Sequence, residues 1–180
     1  MATTLIGVPY LWRLAGAVVL DGGTYEEIEG DRSATTQAIV TVTIAGIAAG
    51  VGLSGGSVSI ATVALITLLT LLSWGIWAVL MVEIGARVLH RPETHTDFGE
   101  LIRTLGFAMV PAWFLVLGVA PDFTMPVVVA VAVWLLAAMT VAVRQALDFE
   151  STLRAAMVCA IGWFLVIGIV AMMGLGFGVS

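Results

Sequence analysis

AIVTVTIAGIAAGVGLSGGSVSIATVALITLLTLLSWGIWAVLMV, residues 38–82, runs for 45 positions without a charged residue or a histidine. A helix that crosses a bilayer uses about 20 apolar residues. The run is therefore long enough for two crossings. Near its centre stand Gly52, Leu53, Ser54, Gly55, Gly56 and Ser57, and a glycine–serine cluster of this kind marks a turn. The stretch reads as a helical hairpin, with one crossing over about residues 34–53 and its return over about 57–82. The second helix can continue past Glu83 toward Leu89.

The rest of the chain has the same character. Of its 180 residues, 61% are hydrophobic and only 11% are charged, and the mean hydropathy is +1.12. A soluble domain is about 45–50% apolar and about 25% charged, so the bilayer is the natural solvent here. The net charge is −5, which argues against nucleic-acid binding. All seven cations are arginines, a compositional hint of a GC-rich, bacterial genome. Cys159 is the sole cysteine, so no internal disulfide can form; it reads as a small buried hydrophobe.

Beyond the hairpin, Pro92 stops the second helix. Asp97 and Glu100 have capping-box spacing and open a third crossing over about residues 98–119, kinked at Pro111. The segment APDFTMP, residues 120–126, reads as a turn, with Pro126 at the first position of a fourth crossing to about residue 146. Ser151 caps a fifth, over about 152–177. Residues 1–33 form a separate N-terminal cytoplasmic or interfacial segment. It lacks the basic start of a signal peptide. Leu11, Leu14, Ala15 and Val18 recur at helical spacing, as in a short helix lying in the interface. Thr24 and Glu27 have capping-box spacing in a second short, acidic helix that Gly30 stops. The expected fold is an all-α membrane protein with five transmembrane helices over residues 34–179.

The arginines orient it. With five crossings, Arg13, Arg32, Arg87, Arg91, Arg103, Arg144 and Arg154 all fall on one side. The positive-inside rule makes that side cytoplasmic. The expectation is a plasma (inner) membrane protein with its N-terminus inside and its C-terminus outside.

Charges also pair along helix faces: Glu83 with Arg87, Glu100 with Arg103, and Arg144 with Asp148, each three or four apart. Each pair stands near the cytoplasmic end of a crossing. If those helices pack together, the six residues form a polar ring at the inner mouth of the bundle, with Gln145 adding amide hydrogen bonds. Such a ring suits a partner or lipid phosphates, or the gate of an ion path. The bland reading makes them interface markers, with arginines snorkelling to headgroups. His90, Glu93, His95 and Asp97 match no zinc spacing, and Pro92 breaks the helix between the histidines; a solvated loop fits better, and no metal or other cofactor is expected. Gly46 and Gly50, four apart beside Ala45 and Ala49, form a small-residue stripe for close helix packing. Trp12, Trp74, Trp77 and Trp113 suit an aromatic belt, whereas Trp134 and Trp163 lie deeper. No nucleophile–base pair or phosphate-cradling loop is recognisable.

FGELIRTLGFAMVPAW (residues 98–113) and AVWLLAAMTVAVRQALDFESTLRAA (132–156) resemble bacterial members of the Yip (Ypt-interacting protein) family. VVLDGGTYEEIEGDRSATTQAIVTV (18–42) is similar to the same family's opening segment. The resemblance covers roughly residues 20–170. It implies five helices and a cytoplasmic N-terminus, in agreement with the arginine count. Eukaryotic members engage prenylated small GTPases in vesicle traffic, a role that does not carry over to a chain without their long N-terminal region. The resulting expectation is a non-enzymatic scaffold that binds a protein or lipid partner at the cytoplasmic face. Its candidate partners are the lipid bilayer, a protein on the cytoplasmic side and a second copy of the chain. The alternative is a small transporter or channel gated by the polar ring.

Overall fold

The computed structural model describes residues 7–88, 98–147 and 151–176, with side chains for these except residues 8, 84–88 and 165–176. The described residues form seven α-helices and one 3₁₀ segment. The helices are α1 (Val8–Val18), α2 (Gly22–Gly30), α3 (Ala34–Gly52), α4 (Ile60–Val88), α5 (Phe98–Phe107), α6 (Pro121–Ala146) and α7 (Thr152–Gly176); the 3₁₀ segment, Val110–Val119, follows α5. Among the described residues, four stretches are long and apolar enough to cross a membrane: Ala34–Gly52, Ile60–Glu83, Phe98–Val119 and Pro121–Ala146. A fifth apolar helix begins at Thr152.

The crossings differ in what surrounds them. More than half of α3 and of the Phe98–Val119 stretch is buried inside the protein, against 17% of the apolar part of α4. The first two are the core of the bundle. The outer helix α4 turns Leu65, Leu68, Leu72, Ile76 and Val79 outward, which suits lipid contact.

Small residues let α3 occupy the centre. A Cβ on Gly46 would stand 2.7 Å from the Cα of Thr67, and one on Gly50 would stand 2.8 Å from the Cα of Val63. Both glycines therefore face α4 across the hairpin, with no room for a methyl group. At the end of α3, a Cβ on Gly52 would meet the carbonyl of Leu115 at 1.8 Å. Here α3 and the 3₁₀ segment touch backbone to backbone. The turn between α3 and α4 places Gly55 and Gly56 at φ +58° and +92°, conformations that glycine adopts without the Cβ penalty.

The third crossing departs from a kinked α-helix. Its α-helical hydrogen bonding stops at Phe107, and from Val110 the chain winds as ten residues of 3₁₀ helix with Pro111 in its first turn. Proline lacks the N–H that an α-helix would require and crowds the carbonyl four residues back. Runs of 3₁₀ beyond three or four residues are uncommon. This one lies between α3 and α6, and Trp113 ties it to α3 through Nε1–H to the Thr41 carbonyl (2.9 Å).

The fourth crossing starts five residues before the proline expected to open it. Pro121 occupies the first turn, and Pro126 lies inside the helix. The Thr124 hydroxyl donates to the Gly118 carbonyl (2.6 Å). That bond folds the residues before Pro126 into the helix, so the expected turn over 120–126 shrinks to the junction at Ala120.

The N-terminal pair α1–α2 docks into the bundle. Tyr10, Leu14, Ala17, Tyr25 and Ile28 are buried with Leu101, Leu105 and Phe107 in one apolar core. The joint between α1 and α2 has the hydrogen bonds of a Schellman motif, Asp21 N–H to Gly16 O (2.9 Å) and Leu20 N–H to Ala17 O (3.3 Å). Leu20 takes the left-handed position at φ +63°, where glycine is usual. A Cβ on Gly16 would stand 2.1 Å from the Thr24 hydroxyl, so the two helices nearly touch.

Substituting Gly46 or Gly50 by valine would force α3 away from α4 and cost about 1–3 kcal/mol or more. Gly75, on α4, has nothing within 4 Å of where its Cβ would stand. Gly75→Ala should be neutral or stabilising, by up to about 1 kcal/mol. Thermal unfolding in detergent should separate the two classes; equal loss from Gly75→Ala and Gly46→Val would contradict this packing.

Candidate functional site

Local structure sets up the polar end of the molecule. Asp21 is the N-cap of α2: its carboxylate accepts from the N–H of Thr24 (2.9 Å) and from the Thr24 hydroxyl (2.7 Å). These bonds hold Asp21 below the usual carboxylate range. The capping box expected at Thr24 and Glu27 is displaced, because Asp21 takes the cap and Glu27 turns to another partner. At the other end of α2, Asp31 accepts from the N–H and hydroxyl of Ser33 (2.8 and 2.7 Å), which turns the chain directly into α3.

The partner of Glu27 is Arg13. Arg13 is 7% exposed. Its Nε and Nη2 donate to Glu27 Oε1 (3.2 and 3.0 Å), Nη2 donates to Asp31 Oδ2 (2.6 Å) and Nη1 donates to Gln37 Oε1 (2.9 Å). One buried cation on α1 therefore binds α2, the α2–α3 corner and α3. Burial works against its charge, but the hydrogen bonds to Asp31 and Glu27 outweigh that and keep it firmly protonated. Asp31 is held below its ordinary value, first by the Ser33 hydroxyl and then by Arg13. Deeper along α3, the Tyr10 hydroxyl meets Thr41 Oγ1 (2.9 Å), whose own proton goes to the Gln37 carbonyl (2.8 Å). Burial pushes the Tyr10 hydroxyl up, partly offset by Thr41.

A second arginine holds α2 from below. Arg103, on α5, is 5% exposed. Its Nε donates to the carbonyls of Ile28 (3.3 Å) and Glu29 (3.0 Å), and its Nη2 donates to Glu29 as well. These are carbonyls of the last turn of α2, the negative end of the helix dipole, where a cation is favoured. Tyr25 lies fully buried between these anchors; burial pushes its hydroxyl up, and that hydroxyl has no hydrogen-bond partner among the described residues.

Of the six residues expected to form a ring, Arg103 is buried against α2, Glu100 is half-buried at the start of α5, and Glu83 and Arg144 are exposed near the ends of α4 and α6. Asp148 and the side chain of Arg87 lie outside the described residues, as do His90, Glu93, His95 and Asp97. Helix α2 packs on α5 and α6, with Gly22 beside Gln145, so it covers the end of the bundle where α5 begins and α6 finishes. In the sequence Arg13 reads as one of the seven arginines that set the orientation; its partners are 14, 18 and 24 positions away. On α1 the inward face is Tyr10, Arg13, Leu14 and Ala17; Leu11 and Trp12 point outward. The apolar stripe read from the sequence therefore splits between the core and the surroundings.

Replacing Arg13 by alanine would remove the donor to the buried Gln37 amide oxygen and leave Asp31 with only its bonds from Ser33. Removing one partner of a buried pair costs about 3–5 kcal/mol; Glu27 is 64% and Asp31 35% exposed, so solvent reduces this to about 2 kcal/mol. The Asp31 contribution has an acid limb. A depressed carboxylate stabilises the fold above its unfolded pKa, about 3.9, and the effect is lost as pH falls through the lower folded value. Stability of the wild type should fall below about pH 4, and Asp31→Asn should flatten that limb; an unchanged limb would contradict the role given to Asp31.

A family model described as the Yip1 domain matches residues 16–173. No curated protein and no solved structure matches the chain. The matched range runs from the close approach of α1 and α2 at Gly16 through α7. It covers most of the 180 residues and includes Arg103 and the whole of α2, while Arg13 lies three residues before it, and the chain belongs to the Yip1-domain family of membrane proteins.

Proposed function

We propose that this protein is a non-enzymatic membrane scaffold that presents α2 to a basic segment of a protein partner. The observation that carries this reading is the locking of an acidic surface helix onto the bundle. Asp21, Glu26 and Glu27 are exposed on or beside α2, while Arg13 grips the helix from one side and Arg103 holds its last carbonyls. A charged helix so short would be marginal alone. Fixed in place, it offers a preformed surface that loses little entropy on binding. Its sign favours a cationic partner over anionic headgroups.

Orientation follows from the arginines. The positive-inside rule puts α2 on the cytoplasmic side of the plasma membrane and the end of α7 outside. Arg103, on α5, supports α2, and Glu100 and Arg144 stand on the two helices, α5 and α6, against which α2 packs.

Glu26 is the residue to test, because it is exposed and takes no part in the Arg13 cluster. Affinity capture from native membranes in mild detergent should recover a partner with wild type and lose it with Glu26→Arg, and raised salt should weaken the capture. Arg103→Ala should weaken capture through loss of the α2 anchor. Capture indifferent to both substitutions would refute the scaffold reading. Ion or proton flux in reconstituted liposomes, abolished by Glu83→Gln, would favour a transporter instead.

A further inference from the structure

Helix α1 is apolar on the side that the bundle leaves uncovered. Leu11 is 58% and Trp12 73% exposed, as is Val19 (72%) just past the end of the helix; Ala15 is exposed on the same side. Arg13 is the one charged residue between Val8 and Leu20, and its donors are taken by Glu27, Asp31 and Gln37. An amphipathic helix with nothing to hold it elsewhere rests on the membrane surface. The contacts on the other face of α1 hold it deeper.

Those contacts reach the crossings well inside their ends. The Tyr10 hydroxyl meets Thr41 Oγ1 (2.9 Å), and Thr41 is seven residues past Ala34, about 10 Å along α3. The Tyr10 ring packs edge-on against Phe107, with centroids 5.9 Å apart; Phe107 is nine residues past Phe98, about 13 Å along α5. Beyond α5, α1 also touches the 3₁₀ segment. Trp134 Nε1–H donates to the Val18 carbonyl (3.2 Å), and Trp134 is twelve residues, about 18 Å, from the end of α6 at Ala146. Helix α2 lies at those ends instead: Gly22 stands beside Gln145, and Arg103 meets the last carbonyls of α2.

The C-terminal end of α1 is also built for a medium without water. The last four carbonyls of a helix have no partner within it, and in hydrocarbon each must be satisfied by the protein. All four are. Ala15 O accepts from Val19 N–H (3.2 Å), Gly16 O from Asp21 N–H (2.9 Å) and Ala17 O from Leu20 N–H (3.3 Å). The fourth, Val18 O, takes the Trp134 indole.

We propose that α1 is embedded in the hydrocarbon of the leaflet beneath α2 without crossing it, and that acyl chains of that leaflet cover Leu11, Trp12, Ala15 and Val19. At 11 residues, about 16 Å, α1 is too short to cross about 30 Å of hydrocarbon. Its depth selects the occupant, because the levels of Thr41, Phe107 and Trp134 lie within the crossings. Arg13 fits this placement. Its guanidinium reaches back to Glu27 on α2 and to Asp31 at the α2–α3 corner, as an arginine does when it snorkels from a membrane-buried backbone. The proposal depends neither on the partner reading for α2 nor on which side of the membrane α2 faces.

The probe is a nitroxide spin label on Leu11→Cys, Trp12→Cys or Ala15→Cys, each in a Cys159→Ala background. The full chain is reconstituted in vesicles of dioleoyl phosphatidylcholine. Oxygen concentrates in hydrocarbon and a nickel chelate in water, so the ratio of their collision rates with the label reports its depth. Labels on Leu72→Cys, exposed on α4, and on Glu26→Cys, exposed on α2, supply the hydrocarbon and aqueous limits. All three α1 positions should give an oxygen-to-nickel ratio severalfold above that at Glu26 and close to that at Leu72. Nickel access equal to that at Glu26 would put α1 in water and overturn the proposal. Low access to both reagents would mean that protein covers the face, with dipolar broadening between labels identifying a second copy, and would overturn it too. Should one label lower the unfolding temperature, the other two positions decide the matter.

Discussion

The guanidinium of Arg13 ties together parts of the chain that hydropathy alone would leave separate. Helices α1 and α2 are 11 and 9 residues long, below the length at which an isolated helix is stable in water. Their apolar side chains, Tyr10, Leu14, Tyr25 and Ile28, enter the common core only if α2 folds back over α1 and α3 leaves α2 at a sharp angle. Arg13 binds an acceptor on α2, one at the α2–α3 corner and one on α3. Without that common donor, Glu27 and the Gln37 amide oxygen lose their bonds to α1, and Asp31 keeps only Ser33.

Arg103 acts by a different physical route. It meets the carbonyls that end α2, not carboxylates. The last carbonyls of any helix lack intrahelical partners and carry the negative end of the dipole, so a buried arginine satisfies its own charge without a buried acid. The two arginines thus hold α2 at the Glu27 carboxylate and at its last carbonyls, while Glu26 stays exposed. This explains how the protein keeps a charged helix seated on a bundle made otherwise of alanine, valine, leucine and glycine.

Much of the architecture was legible because lipid imposes simple rules. The uncharged run over residues 38–82 divides at its glycine–serine turn, and the helices on either side begin and end within a few residues of the expected positions. The spacing of Gly46 and Gly50 signalled close packing, and the structure places both against α4. What escaped was set by contacts distant in sequence. Arg103 reaches α2 across 74 and 75 positions, and no local pattern announces that. Two errors were local. Asp21 precedes Thr24 by three, the spacing of an N-cap to its N3 residue, and outcompetes the capping box proposed one turn later. Pro121 and Pro126 could both open a helix; the Thr124 hydroxyl decides for the earlier one by bonding back to Gly118.

The third crossing follows from the same competition between local and tertiary demands. Pro111 ends α-helical hydrogen bonding, but a proline alone would permit a bent α-helix to resume. The change to 3₁₀ winding coincides with the place where Gly52 brings α3 against the carbonyl of Leu115 and Trp113 donates to Thr41. A 3₁₀ helix is thinner and longer per residue, about 2.0 Å against 1.5 Å of rise. A slimmer rod between α3 and α6 allows backbone contact at Gly52 that a full α-helix with the same side chains would obstruct. The glycines of α3 and the proline of the third crossing are therefore parts of one packing solution: each makes room at the centre of the bundle.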